Sequence, residues 1–141
     1  MFSSGAQALC VNADHVNLHV KPDASSKVSW TVDKYMPLVQ VDRKGAWIRV
    51  ADVDNTKHWI HARSVSSQID CVVVKAKVAK LRLGPGSEYH YTDLAAARKY
   101  AVFKKLGRDD AWLKLQDDYG HVHWAHENTL WEPRSYRRVS F

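Results

Sequence analysis

The chain has 141 residues, 45% of them hydrophobic and 26% charged, with a formal net charge of +6 and no long Gly, Ser or Pro tract. Such a composition belongs to an ordinary globular protein, and no apolar run reaches the roughly 18 residues a membrane-spanning helix needs. The positive excess is spread evenly, +2 over each of residues 9–67, 68–131 and 132–141, which with the abundant aspartate makes nucleic acid an unexpected partner.

In chain order, Ala6, Gln7 and Ala8 form the small-residue pattern of a signal-peptidase site, the alternative being a short leader. Period-two runs follow, the mark of half-buried strands: Asn17 to Val20, a turn at Lys21, Pro22 and Asp23, Val28 to Val32, Leu38 to Val41, and Ala46 to Val50. After Trp47 come His58, Trp59, Ile60 and His61. The plan then restarts with Lys80 to Leu83, a Gly84, Pro85, Gly86, Ser87 turn, Tyr89 to Tyr91, Ala101 to Leu106, and Ala111 to Leu115. Trp112, Trp124 and His126 each lie 65 residues beyond Trp47, Trp59 and His61. Self-similarity at a fixed period means two copies of one unit.

We place the copies at residues 9–66 and 68–131, with a basic tail at 132–141 carrying Arg134, Arg137 and Arg138. The junction from Ser64 to Gln68 is too short for independent tumbling. One stretch, Asp93 to Lys99, has helical composition; because it aligns with the Val32 to Lys34 connection of copy one, at most one extra turn is expected there. Short strands in about 60 residues bury a core only by closing on themselves, so the expected fold is all-β, two tandem small β-barrels. Cys10 and Cys71 each open a repeat, and two readings stand: a disulfide formed in an oxidising compartment, or two buried thiols.

The residues Val16 to Pro22, Lys34 to Leu38, Lys44 to Val50 and His58 to His61 resemble the bacterial Src-homology-3-like domain, and Leu81 to Tyr89 carries the likeness more openly in copy two. The resemblance implies an exported protein of the periplasm or cell envelope whose paired barrels contact peptidoglycan or an extended peptide, with no catalytic residue, metal or cofactor. It implies alternatively the accessory domains of a cell-wall hydrolase, and a small basic barrel that stacks nucleic acid is the rival from another class. Two departures stand out. The glycine usual before the last tryptophan is His58 and His123, and the Gly-Pro-Gly turn of copy two is Lys21, Pro22 and Asp23 in copy one.

Alternation places Ile48 and Val50 on one strand face and Trp47 and Arg49 on the other; copy two sets Leu113 and Leu115 against Trp112 and Lys114. With the aliphatic face inward, both tryptophans point outward beside a cation. That suits a ligand groove in which Trp30 and Tyr35, and Tyr89, Tyr91 and Tyr119, add aromatic walls. Trp59 and Trp124 are expected to close the barrels, and His61 and His126 to hold the following turn through a backbone hydrogen bond. His121 and His123 share a strand face but two nitrogens do not complete a metal site, and Asp109, Asp110, Asp117 and Asp118 read as solvated turn formers.

Overall fold

The computed structural model describes residues 7–133, and the basic residues Arg134, Arg137 and Arg138 lie outside them. The chain divides into two compact units, one reaching Ile69 and the other Asp70–Glu132. In the first, β1 (Gln7–Val11), β2 (Val16–His19), β3 (Val28–Val32), β4 (Pro37–Lys44), β5 (Trp47–Ala51), β6 (Lys57–His61) and β7 (Val65–Ser66) form one seven-stranded sheet in the order β3-β2-β6-β5-β4-β1-β7. In the second, β8 (Cys71–Val74), β9 (Val78–Arg82), β10 (Tyr91–Arg98), β11 (Val102–Asp109), β12 (Trp112–Gln116), β13 (Val122–His126) and β14 (Leu130–Trp131) repeat that order as β10-β9-β13-β12-β11-β8-β14. A single 3-10 turn precedes the last strand of each, Ala62–Ser64 and Glu127–Thr129.

The core is the aliphatic face of the alternating strands. Leu18, Leu38, Ile48, Val50 and Ile60 fill the first unit; Leu81, Phe103, Leu113, Leu115 and Ala125 belong to the cluster of the second. Each of these side chains but the smaller Ala125 removes enough apolar area from water to contribute roughly 1.5–3 kcal/mol. Both central hairpins carry a bulge, at Gln40/Asp42 and Lys105/Gly107. The extra residue turns away from the ladder, which is why Val41 and Leu106 are exposed despite their apolar character.

No helical turn forms from Asp93 to Lys99, within the limit of at most one expected there: these residues belong to strand β10 up to Arg98. Pairing with β9 overrides the intrinsic preference of the alanines. Two extra residues are absorbed there as a register shift between Tyr91 and Ala96, since Ala97 lies opposite Ala79 as Val32 lies opposite Val16. Ala95 takes φ +65° in this bulge, a conformation that favours glycine. Ala95→Gly is therefore expected to raise the urea midpoint, by up to about 1 kcal/mol of stability, whereas Ala95→Val lowers it.

Both cysteines are disulfide-bonded, which removes the reading as free buried thiols.

Candidate functional site

The last hairpin of each unit is built around an imidazole. In β6, His58 and Ile60 point inward and Trp59 outward; in β13, His123 and Ala125 point inward and Trp124 outward. His58 is 4% exposed and His123 2%. The Nε2 of His58 lies 2.8 Å from Asp52 Oδ2 and its Nδ1 2.6 Å from Ser29 Oγ. His123 repeats the arrangement with Asp117 Oδ2 at 2.8 Å and Thr92 Oγ1 at 2.7 Å. One neutral tautomer satisfies every partner: Nε2–H donates to the carboxylate and Nδ1 accepts from the hydroxyl.

The same aspartates also fold the turn. Asp52 Oδ1 accepts the N–H groups of Asp54 and Thr56, each at 2.9 Å; Asp117 Oδ1 accepts those of Tyr119 and His121 at 3.0 and 2.9 Å. A turn residue, a core-facing imidazole and a strand hydroxyl thus lock three elements with no buried side-chain N or O left unpartnered among the described residues. The trio has the parts of a nucleophilic relay; both imidazoles and Thr92 are buried, whereas Ser29 is exposed.

Burial raises the Asp117 carboxyl, but the His123 hydrogen bond and the His121 and Tyr119 N–H groups outweigh it, so its pKa falls below the ordinary 3.8. A lowered folded value means stability that is present above the ordinary value and lost as pH drops through the folded one. In denaturation series from about pH 6 to about pH 2, Asp117→Asn is expected to be less stable than wild type at the upper end and to show a flatter acid limb. An unchanged acid limb contradicts this assignment.

The opposite face of each sheet carries the tryptophans. Trp47 and Trp112 are half-buried beside the exposed Arg49 and the half-buried Lys114. Trp47 stands edge-on between His19 at 5.5 Å and His61 at 5.3 Å, and Trp112 edge-on to His126 at 5.2 Å. His61 Nδ1 accepts from Arg63 N and His126 Nδ1 from Asn128 N, both at 3.1 Å, so these histidines hold the following turn and brace the indoles together.

Register extends this face across four strands, because residues directly opposite one another share a side of the sheet. In the second unit Lys114 faces Trp124, Trp124 faces Arg82 and Arg82 faces Tyr91. The row alternates cation and aromatic ring, and the Arg82 guanidinium sits over the Tyr91 ring at 4.6 Å. The first unit sets Arg49, Trp59, His19 and Val28 in the same row. Trp59 and Trp124 therefore do not close the core as expected: the inward places belong to Ile60 and Ala125, and the tryptophans join the outer face.

The remaining residues scatter. Trp30 stacks at 5.9 Å on His58, on the core side rather than beside Trp47. Tyr35 lies in the connection before β4 with φ +78° and Lys34 over its ring at 5.2 Å. Tyr89 is in the β9–β10 connection, where its carbonyl accepts from Arg82 at 2.9 Å, and Tyr119 projects from the β12–β13 turn, 87% exposed. Of the nine aromatic and basic residues singled out by sequence, the second-unit face gathers Trp112, Lys114 and Tyr91, and the first-unit face Trp47 and Arg49. Among the described residues no group of three or more His, Cys, Asp and Glu side chains is placed to hold a metal ion.

No curated protein matches the chain. Among solved structures it is similar to NlpC2 from Trichomonas vaginalis, at 9% identity and TM-score 0.40 over 94% of this chain and 50% of that one. It is similar also to NlpC1 from the same organism, at 10% identity and TM-score 0.37 over 92% and 47%. The chain thus spans about half the length of these structures. A family model described as the bacterial SH3 domain matches residues 12–67, which cover β2 to β7 of the first unit. Residues 12–67 are thus similar to the bacterial SH3 domain family, and the second unit repeats the strand order of the first.

Proposed function

We propose that this protein is a non-catalytic binding module of the bacterial cell envelope, which recognises peptidoglycan or an extended peptide through the outer tryptophan face of each unit. The observation that carries the reading is the row of Lys114, Trp124, Arg82 and Tyr91 beside Trp112, with Arg49 and Trp59 beside Trp47 in the first unit. Flat rings braced by neighbours offer apolar area at small entropic cost, and interleaved cations orient a polar chain across them. We take residues 9–66 and 68–131 as the two binding domains. Oxidised Cys10 and Cys71 favour an exported, periplasmic or envelope location, since disulfides persist in oxidising compartments. Co-sedimentation with purified cell wall tests the reading: wild type is expected in the pellet, and the Trp47→Ala/Trp112→Ala protein in the supernatant.

A further inference from the structure

The turn between β12 and β13 does more in the second unit than in the first. Around it opens a cavity of about 390 Å³ whose lining includes Asp93, Leu94, Val102, Asp118, Tyr119 and His121, at the lower end of the sizes in which proteins seat small ligands. Its lining differs from the equivalent positions of the first unit. Counting 65 residues back, Asp118, Tyr119 and His121 correspond to Val53, Asp54 and Thr56, and the segment holding Asp93 and Leu94 contains the two residues that β3 lacks.

Its chemistry is asymmetric. Leu94 and Val102 supply aliphatic wall. Tyr119 presents a ring that is 87% exposed, held in place by its own N–H to Asp117 Oδ1 and by a tilted stack on His121 at 6.3 Å. The carboxylates do not converge in the manner of a metal site. Asp117 already uses both oxygens, on His123 and on two backbone N–H groups, while Asp93 and Asp118 stand exposed at the rim. An electron-rich ring face, two rim carboxylates and an aliphatic wall are complementary to a cation on a methylene stem.

We propose that this cavity seats the side chain of a lysine-like diamino acid residue of an extended peptide, its stem against Leu94 and Val102 and its ammonium group among Tyr119, Asp93 and Asp118. The inference rests on the peptide-binding reading for the kind of ligand, but it assigns a different place on the molecule from the tryptophan face.

Amide chemical-shift titration of the full chain with Nα-acetyl-lysine methylamide tests it, with the Nε-acetylated lysine derivative and the norleucine derivative as controls. Saturable shifts are expected at Leu94, Tyr119 and His121 and not at Asn55 of the first unit. Binding of both controls, and of the lysine derivative to Tyr119→Ala or to Asp93→Asn/Asp118→Asn, should be at least about fivefold weaker. Equal binding of the norleucine derivative, equal binding by both variants, or no saturable shift at the cavity overturns the proposal. The replaced side chains are exposed, so the variants keep the fold. Cell-wall retention with no amine binding removes the cavity assignment alone; amine binding with no retention removes the tryptophan-face reading alone.

Discussion

Replacing His58 by glycine, the residue that bacterial SH3-like sequences usually carry before the last tryptophan, is expected to destabilise the first unit by about 3–5 kcal/mol. The imidazole is 4% exposed and Asp52 beside it 5%. Deleting the ring leaves the Oδ2 atom of Asp52 and the hydroxyl of Ser29 without their shared partner and opens a void where the ring packs beneath Trp30. A unit of about 60 residues has only about 3–9 kcal/mol in total, so the first unit should be partly or wholly unfolded at 25 °C.

Denaturation followed by Trp fluorescence measures this. The pair is coupled, so Asp52→Asn combined with His58→Leu should cost less than the two single changes added together. His123→Gly should act in the same way on the second unit, through Asp117, Thr92 and the edge contact with Phe103 at 6.0 Å. A midpoint unchanged by either glycine contradicts the buried-imidazole account.

The second large effect concerns binding. Central aromatic residues of an interface typically carry at least about 2 kcal/mol each, so Trp47→Ala or Trp112→Ala alone should weaken cell-wall binding about 30-fold, and the double change should leave no measurable retention. Because each indole also packs on His61 or His126, a second pair separates recognition from folding. Arg49→Glu and Lys114→Glu alter the outer face without touching the core and should reduce binding by at least about tenfold at unchanged stability. Measured against ionic strength, wild-type binding should fall gently; a steep linear loss with the logarithm of salt concentration would instead point to phosphate contacts of the kind nucleic acid makes.

Much of this architecture was legible in the sequence, and the misreadings have physical causes. The 65-residue echo and the period-two alternation of Ile48 and Val50 against Trp47 and Arg49 predict both the repeat and the side of the sheet that each residue takes, because side-chain direction along a strand is fixed by parity. The same rule, carried to Lys57–His61, puts His58 inward once Ile60 is taken as core, and so sends Trp59 outward. The expectation that Trp59 closes the barrel does not carry that parity through: a tryptophan is the more natural core residue, and a buried histidine is acceptable only with partners in place.

Those partners are distant or disguised in sequence. Ser29 lies 29 residues before His58, and Asp117 looks like half of a solvated Asp pair. A signal was nevertheless present: aspartate six residues before the inward histidine recurs in both copies, Asp52 with His58 and Asp117 with His123. The row through Arg82 and Tyr91 was not legible, because it depends on the register of β9 against β13, which pattern does not specify. In the alanine-rich segment local helical propensity yields to sheet pairing with β9, as the limit of at most one extra turn there allows.

The most direct test of the binding-face claim is amide and indole chemical-shift mapping of the whole chain with soluble peptidoglycan fragments. Shifts should gather on Arg49, Trp59 and Trp47 and on Lys114, Trp124, Arg82, Tyr91 and Trp112, and the Asp52, His58 and Ser29 signals should stay still. Saturable binding whose shifts avoid both tryptophan faces, or no binding at all, would contradict the account.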